Sequence, residues 1–300
     1  MGPSAISVLL AVVALIAARV AADRSDRISG LIIAVAGAVS CSLIGRWLLR
    51  VGIFRLTWLR SESTNLVATK SDLPKVWLVA HIDSKSQTIP MLVRVGAVVL
   101  SSVMYLLLII ALAFGAYAAA SIASVLTVAA LLPIIFCFIG NRSPGALDNA
   151  TGVAAVLIAA QRASSNVGVV ITSGEELGLA GARAFASQRA AKGIALNCDT
   201  IDDRGRFIVM RSRRSERSAA AVVLGSRRLG VEVKIRRMIP GILADNIAFS
   251  ESGWDSCTLS KGNLATLEAV HTSGDRNTSI DGTGIAQAAD ILAAAVEELS

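Results

Sequence analysis

"VVITSGEELGLAGARAF", residues 169–185, runs from an apolar β-branched stretch through Gly174 into two adjacent acids, Glu175 and Glu176, and then into a helix-like pattern. A short apolar run that stops at a glycine reads as a buried strand, and the small and apolar residues after it read as a helix. Neighbouring carboxylates repel each other and resist desolvation. The pair is therefore tolerated only at the surface or beside positive charge.

The same alternation recurs along the chain. Short runs at "VWLVAH" (76), "VGVVITS" (167), "GIALNCD" (193), "RFIVMRS" (206), "VEVKIRRM" (231) and "DSCTLSK" (255) are separated by helical stretches at 149–164, 178–190, 214–229 and 282–299. Strand alternating with helix predicts an α/β fold, a mixed β-sheet sandwiched by helices. Such folds place their chemistry in loops at the carboxyl ends of strands.

A soluble α/β domain does not account for the whole composition. Hydrophobic residues make up 54% of the chain, and the mean hydropathy is +0.63. Residues 95–140 carry no charged side chain; a bilayer crossing needs roughly 20 apolar residues, so this block has length for two crossings with a turn near Gly115 to Ser121. Pro3 to Ala18 and Ile28 to Gly45 are also uncharged. About four transmembrane helices are expected. A cleaved signal peptide is the alternative for the first, but no basic residue precedes its apolar run and Arg19 lies inside it.

The net charge is +7, with much of the excess between Arg204 and Arg237. Solvated helix faces and strand edges explain most such clusters, and attraction to anionic lipid headgroups is the sharper alternative. Nucleic acid is not expected as a partner, because the cluster has almost no aromatic residues to stack on bases. Cys41 and Cys137 fall in apolar segments, which leaves Cys198 and Cys257 and no disulfide framework.

Residues suited to metal binding sit at several strand ends. His81 closes the first strand, Glu175 and Glu176 follow the second, and Asp199 ends the third; Asp148 in "GALDNATG" opens a helix and His271 in "VHTSGD" precedes the last one. The chain has only two histidines, and both fall in these loops. Each position has a structural alternative: Asp148 could cap a helix beginning at Asn149, and the two acids could favour the positive end of a helix. Six such placements at successive junctions point to one shared site instead.

In order and local context, "HID", "GALDNATG", "SGEELGLAGA", "LNCD", "LADNIAF" and "HTSGD" resemble the motifs of peptidase family M28, the di-zinc aminopeptidases. The resemblance covers residues 64–90 and 141–300. It implies a zinc-exopeptidase-like fold with two zinc ions, cobalt or manganese being open on ligand type. One ion would be held by His81, Asp148 and Asp199, the other by Asp148, Glu176 and His271. Glu175 would be the general base for a bridging metal-bound water, Asp83 a catalytic acid orienting an imidazole, and Asp245 and Asn246 would lie near substrate. Asn246 stands where the family pattern has a histidine. Two dications against three carboxylates and a hydroxide approach neutrality, which answers the question of the paired acids.

The implied activity is a membrane-anchored, zinc-dependent aminopeptidase acting on peptide substrates. A glutaminyl-cyclase-like acyltransferase, characteristically using one zinc, is an enzymatic alternative; a noncatalytic receptor or scaffold on a peptidase fold is the alternative from another class. His81 precedes the long apolar block and the other ligands follow it, so a shared pocket requires an even number of crossings. The expected organisation is an N-terminal transmembrane pair at 1–50, a catalytic domain at 51–90 and 141–300, and an inserted transmembrane hairpin at 91–140. This describes a multi-pass protein of the plasma membrane with no prediction of oligomeric state. Arg46, Arg50, Arg55 and Arg60 lean towards a cytoplasmic catalytic domain, whereas the secretion common in the family leans the other way.

Overall fold

A computed structural model describes residues 3–24, 26–48, 62–70, 74–163, 166–212, 214–238 and 243–300. Arg50, Arg55 and Arg60, used above to judge sidedness, lie outside the described residues. The chain divides into two compact units, Met1–Arg55 with Gln87–Gly140, and Leu56–Ser86 with Asn141–Ser300.

The first unit is helical: α1 (Pro3–Arg24), α2 (Arg27–Trp47), α3 (Met91–Ala113) and α4 (Tyr117–Ile135). Its interior is built from small side chains, among them Ala14, Ala17, Ala21, Ala34 and Ala120, with Leu108 and Leu112. Small residues let helix backbones approach closely. Tyr105 donates its hydroxyl to the Ala34 carbonyl at 2.8 Å, which satisfies a polar group where water is excluded. Larger side chains such as Val99, Leu106, Ile122 and Val125 face outward, the reverse of a soluble bundle. Helices α2, α3 and α4 are long and apolar enough to cross a bilayer. About four are expected from the sequence, and three among the described residues reach that length and apolarity. The first helix offers only the shorter apolar run Ile6–Ala22, interrupted by Arg19 and followed by Asp23 and Arg24.

The second unit holds the sheet. Its strands are β1 (Leu66–Thr69), β2 (Val76–His81), β5 (Val167–Thr172), β6 (Ile194–Ile201), β7 (Arg206–Arg211), β8 (Val233–Arg237) and β9 (Asp255–Gly262); the two-residue strands β3 (Ser86–Gln87) and β4 (Ile139–Gly140) flank α3 and α4 in sequence. The seven-stranded order is β1-β5-β2-β6-β9-β7-β8. Strands β5, β2, β6 and β9 run parallel to one another, while β1 and β7 pair antiparallel with β5 and β9. The sheet is therefore mixed.

Both faces of the parallel centre are covered, which is why β2 and β5 are buried at every position and read as unbroken apolar runs. Val76, Leu78 and Ala80 enter one core with residues of α5 (Thr151–Arg162), α7 (Glu216–Arg228) and α10 (Thr283–Glu298). Trp77 and Val79 point to the other face, where they meet Phe185 of α6 (Ala180–Gln188), Phe249 of α8 (Asp245–Glu251) and Trp254. Trp77 and Phe185 pack edge to face with centroids 4.9 Å apart, a favoured aromatic geometry. Helix α9 (Leu264–Ala269) follows β9 and carries a capping box at Asn263.

Candidate metal centre

His81 is the last residue of β2 and is buried. Its Nδ1 bonds the main-chain oxygen of Asp83 at 3.0 Å, which aims Nε2 at Asp148 Oδ1, 3.1 Å away, and Asp199 Oδ1, 3.6 Å away. The carboxylate of Asp83 does something else. It accepts the backbone N–H groups of Glu175 at 3.1 Å and Glu176 at 3.0 Å, and lies 3.8 Å from the imidazole. The sequence expectation is that the Asp83 acid orients an imidazole; the main-chain oxygen is the atom bonded to His81, while the side chain holds the paired-acid turn.

Asp148 does not cap a helix. Residues Ala146–Ala150 form a π-type turn in which Asp148 and Asn149 leave helical dihedrals, and α5 starts only at Thr151. The peptide between Asp148 and Asn149 is cis. Asn149 ties this turn to the end of β6: its amide donates to the Cys198 carbonyl at 2.9 Å, and its oxygen accepts N–H groups from Gly152 and Thr200, both at 3.1 Å. Gly152 is required here because a Cβ would fall 2.1 Å from Asn149 Oδ1 and 2.6 Å from the Cys198 carbonyl. The register of β6 against β9 shifts between Cys198 and Ile201, and such an irregularity re-aims a side chain, here Asp199. Thr200 and His271 both adopt positive φ, 57° and 65°, a costly conformation for residues with a Cβ and one that clusters at functional sites.

Glu175 and Glu176 occupy the turn between β5 and α6; α6 begins only at Ala180, so they do not open a helix. His271 Nε2 lies 3.0 Å from both Asp148 Oδ2 and Glu176 Oε1. Two groups result, His81 with Asp148 and Asp199, and Asp148 with Glu176 and His271, each with its ligand atoms within 4.8 Å of one another. Asp148 belongs to both, turning Oδ1 to one imidazole and Oδ2 to the other.

The electrostatics describe a set short of positive charge. Burial pushes Asp148 up, yet the His271 and His81 imidazoles hold it well below the usual carboxylate range. Burial would lower His81, but the Glu175 carboxylate with Asp148 and Asp199 raises it well above its ordinary value. Glu175 itself is driven upward, by burial first and then by Asp199, Asp245 and Glu176 against the opposing pull of His81. Among the described residues, His81 Nε2 and Glu176 Oε1 are buried without a hydrogen-bond partner, although oxygens and nitrogens stand near both. Imidazole and carboxylate atoms that converge in two such groups fit a divalent cation such as zinc.

Asp245 and Asn246 open α8 with no accessible surface. Thr172 Oγ1 donates to Asp245, whose carboxyl is pushed up to about 6 by burial. Both residues are buried against the end of β5 and the sheet. Two participants escaped the sequence reading. Asp275, in "HTSGD", accepts the N–H of Leu147 at 2.5 Å and of Asp148 at 3.3 Å, and its place in that motif was the available signal. Lys85 forms an ion pair with Glu176; nothing local in "HIDSKS" marks it as a partner.

The fold has counterparts. The model of peptidase family M28 matches residues 65–296. An aminopeptidase from Aneurinibacillus sp. strain AM-1 is similar at 16% identity and TM-score 0.53, over 78% of this chain and 47% of that one. BSAP, a zinc aminopeptidase from Bacillus subtilis, is 18% identical with TM-score 0.51, over 78% and 49%. LapA aminopeptidase of Legionella pneumophila is 13% identical with TM-score 0.51, over 85% and 63%. The chain spans about half the length of the first two. No curated protein matches the sequence. With a family model that matches most of its length and the zinc-aminopeptidase fold beneath the clustered ligands, this chain belongs to peptidase family M28.

Proposed function

We propose that the protein is a membrane-anchored, zinc-dependent exopeptidase that removes N-terminal residues from peptides. The observation that carries this reading is the shared Asp148, whose two oxygens face two separate ligand groups, with the buried Glu175 one residue from a ligand of the second.

In this reading His81, Asp148 and Asp199 hold one zinc, and Asp148, Glu176 and His271 hold the other. Zinc, when bound, supplies Lewis acidity that lowers the pKa of water and polarises a peptide carbonyl. Glu175 accepts the proton of the attacking water on its carboxylate and delivers it to the leaving amine. Its raised affinity for protons, caused first by burial, suits a group that takes up a proton and returns it. Asp83 keeps Glu175 and Glu176 in one turn through their backbone N–H groups. The outward-facing apolar side chains of α2, α3 and α4 face lipid, which makes the chain a multi-pass membrane protein. Arg46, Arg50, Arg55 and Arg60 support a catalytic part on the cytoplasmic side, and a reporter fused at Ser300 tests that sidedness.

A panel of aminoacyl reporters and N-terminal glutaminyl peptides tests the activity, run on zinc-loaded, chelator-stripped and Glu175→Gln protein. Expected are release of N-terminal residues, loss on stripping with recovery on zinc, and a fall of about 10²- to 10⁴-fold for Glu175→Gln, the range for a general base. Cyclisation of glutaminyl peptides without aminopeptidase activity would replace this reading with the acyltransferase one. Inertness of folded, zinc-loaded protein towards every substrate would leave the scaffold.

A further inference from the structure

Lys85 lies four positions beyond His81 and reaches across to the paired-acid turn. Its ammonium pairs with Glu176 Oε2, the two side chains being 18% and 5% exposed. Glu176 Oε1 points the other way, 3.0 Å from His271 Nε2 and without a hydrogen bond. One carboxylate is thus divided between a built-in cation and a ligand position.

The other group has no such companion. Asp199 accepts a hydroxyl from its neighbour Thr200 at 3.1 Å, and the two oxygens of Asp148 lie 3.1 Å from His81 Nε2 and 3.0 Å from His271 Nε2. Among the described residues no lysine or arginine pairs with Asp148 or Asp199.

We propose that Lys85 makes the two metal positions unequal: it serves as the counter-charge of Glu176, so that the His81, Asp148 and Asp199 position fills first and the Asp148, Glu176 and His271 position takes a second, weak and exchangeable ion. This rests on the metallopeptidase reading above and concerns the regulation of that same site by metal supply.

The charge balance carries it. A single dication among His81, Asp148 and Asp199 is neutralised by the two carboxylates, and Glu176 is neutralised by Lys85. The three ligand carboxylates are therefore matched by positive charge before any second ion arrives, whichever way Glu175 is protonated. The second dication must enter beside an ammonium in a mostly buried setting, where like charges interact far more strongly than in water. Lys85 also occupies Oε2, which leaves Glu176 one oxygen to offer.

An opposite outcome follows if Lys85 acts only as an orienting partner. Removing a group that positions a metal ligand weakens metal binding, typically by about 10- to 100-fold; removing a competing charge tightens it. The sign of the change in Lys85→Gln therefore separates the two.

Full-length protein in detergent is stripped with chelator and titrated with Zn²⁺ against a chromophoric competitor at constant pH, with bound zinc counted by elemental analysis. Wild type is expected to bind in two steps at least about tenfold apart, and to keep one ion through dialysis. Lys85→Gln is expected to tighten the second step about tenfold and leave the first unchanged, while Lys85→Arg, which keeps the charge, follows wild type. Two equal steps in wild type overturn the proposal, as does an unchanged or weakened second step in Lys85→Gln. Should Lys85→Gln fail to fold, Lys85→Met carries the same test, a tightened second step again expected and an unchanged or weakened one overturning the proposal. Folded wild type that binds no zinc at all removes the metallopeptidase reading itself, a result distinct from either.

Discussion

Asp83 serves the site with two different atoms. Its carbonyl oxygen fixes the His81 ring, and its carboxylate accepts the N–H groups of Glu175 and Glu176. Two parallel N–H donors need two acceptor oxygens. In Asp83→Asn one of them becomes an NH₂ group facing an N–H, so a partly buried donor is left unpaired at about 1–3 kcal/mol. The variant should melt several degrees lower and lose activity, with His81 still bonded through the unchanged main chain; thermal unfolding in detergent together with the zinc content checks this. A melting temperature equal to wild type would show that the carboxylate does not hold the turn. The residue types needed for chemistry were legible in the sequence, because only two histidines exist and both stand at element junctions. The distinct use of the two Asp83 oxygens was not, since it depends on the turn after β5 folding back over the loop after β2.

At the scale of elements, the site is a set of strand ends aligned by parallel pairing. His81 pairs in register with Thr172, so the loops that follow β2 and β5 start side by side. The fully buried strands β2 and β5 were readable as unbroken apolar runs. The edge strand β1, four exposed residues pairing antiparallel with β5, was not, because a short strand with no buried face has no hydrophobic period. The helix expected from residue 149 starts at Thr151 instead, displaced by the turn that carries Asp148. Gly152 lets that turn press on β6. Gly152→Ala should lower stability by about 1–3 kcal/mol, the usual cost of overpacking, and should lower zinc affinity because Asn149 links Asp148 to the strand bearing Asp199. Circular dichroism melts and zinc titration measure both; a variant as stable as wild type would mean that the backbone yields at little cost.

Over the whole molecule, two kinds of interior coexist. The sheet-bearing unit buries large side chains such as Trp77, Phe249, Trp254 and Leu196, as expected where water drives collapse. The helical unit buries alanines and turns its larger aliphatic side chains outward. Lipid rewards close backbone packing and not burial of bulk, and this inversion fits the proposed insertion in a bilayer. The protein should remain in the membrane pellet after alkaline carbonate extraction and enter solution only with detergent; release by carbonate would contradict insertion of α2, α3 and α4.

Local composition and order by themselves determined the fold class, the apolar segments and the residue types offered to metal, since hydrophobic period and residue chemistry are properties of short stretches. Only the tertiary structure decided that Asp148 faces both imidazoles, that Asp275 and Asn149 brace it, and that Lys85 shares Glu176. Those relations join positions 49 to 128 residues apart, and no local pattern encodes which distant side chain will fill the remaining oxygen of a buried carboxylate.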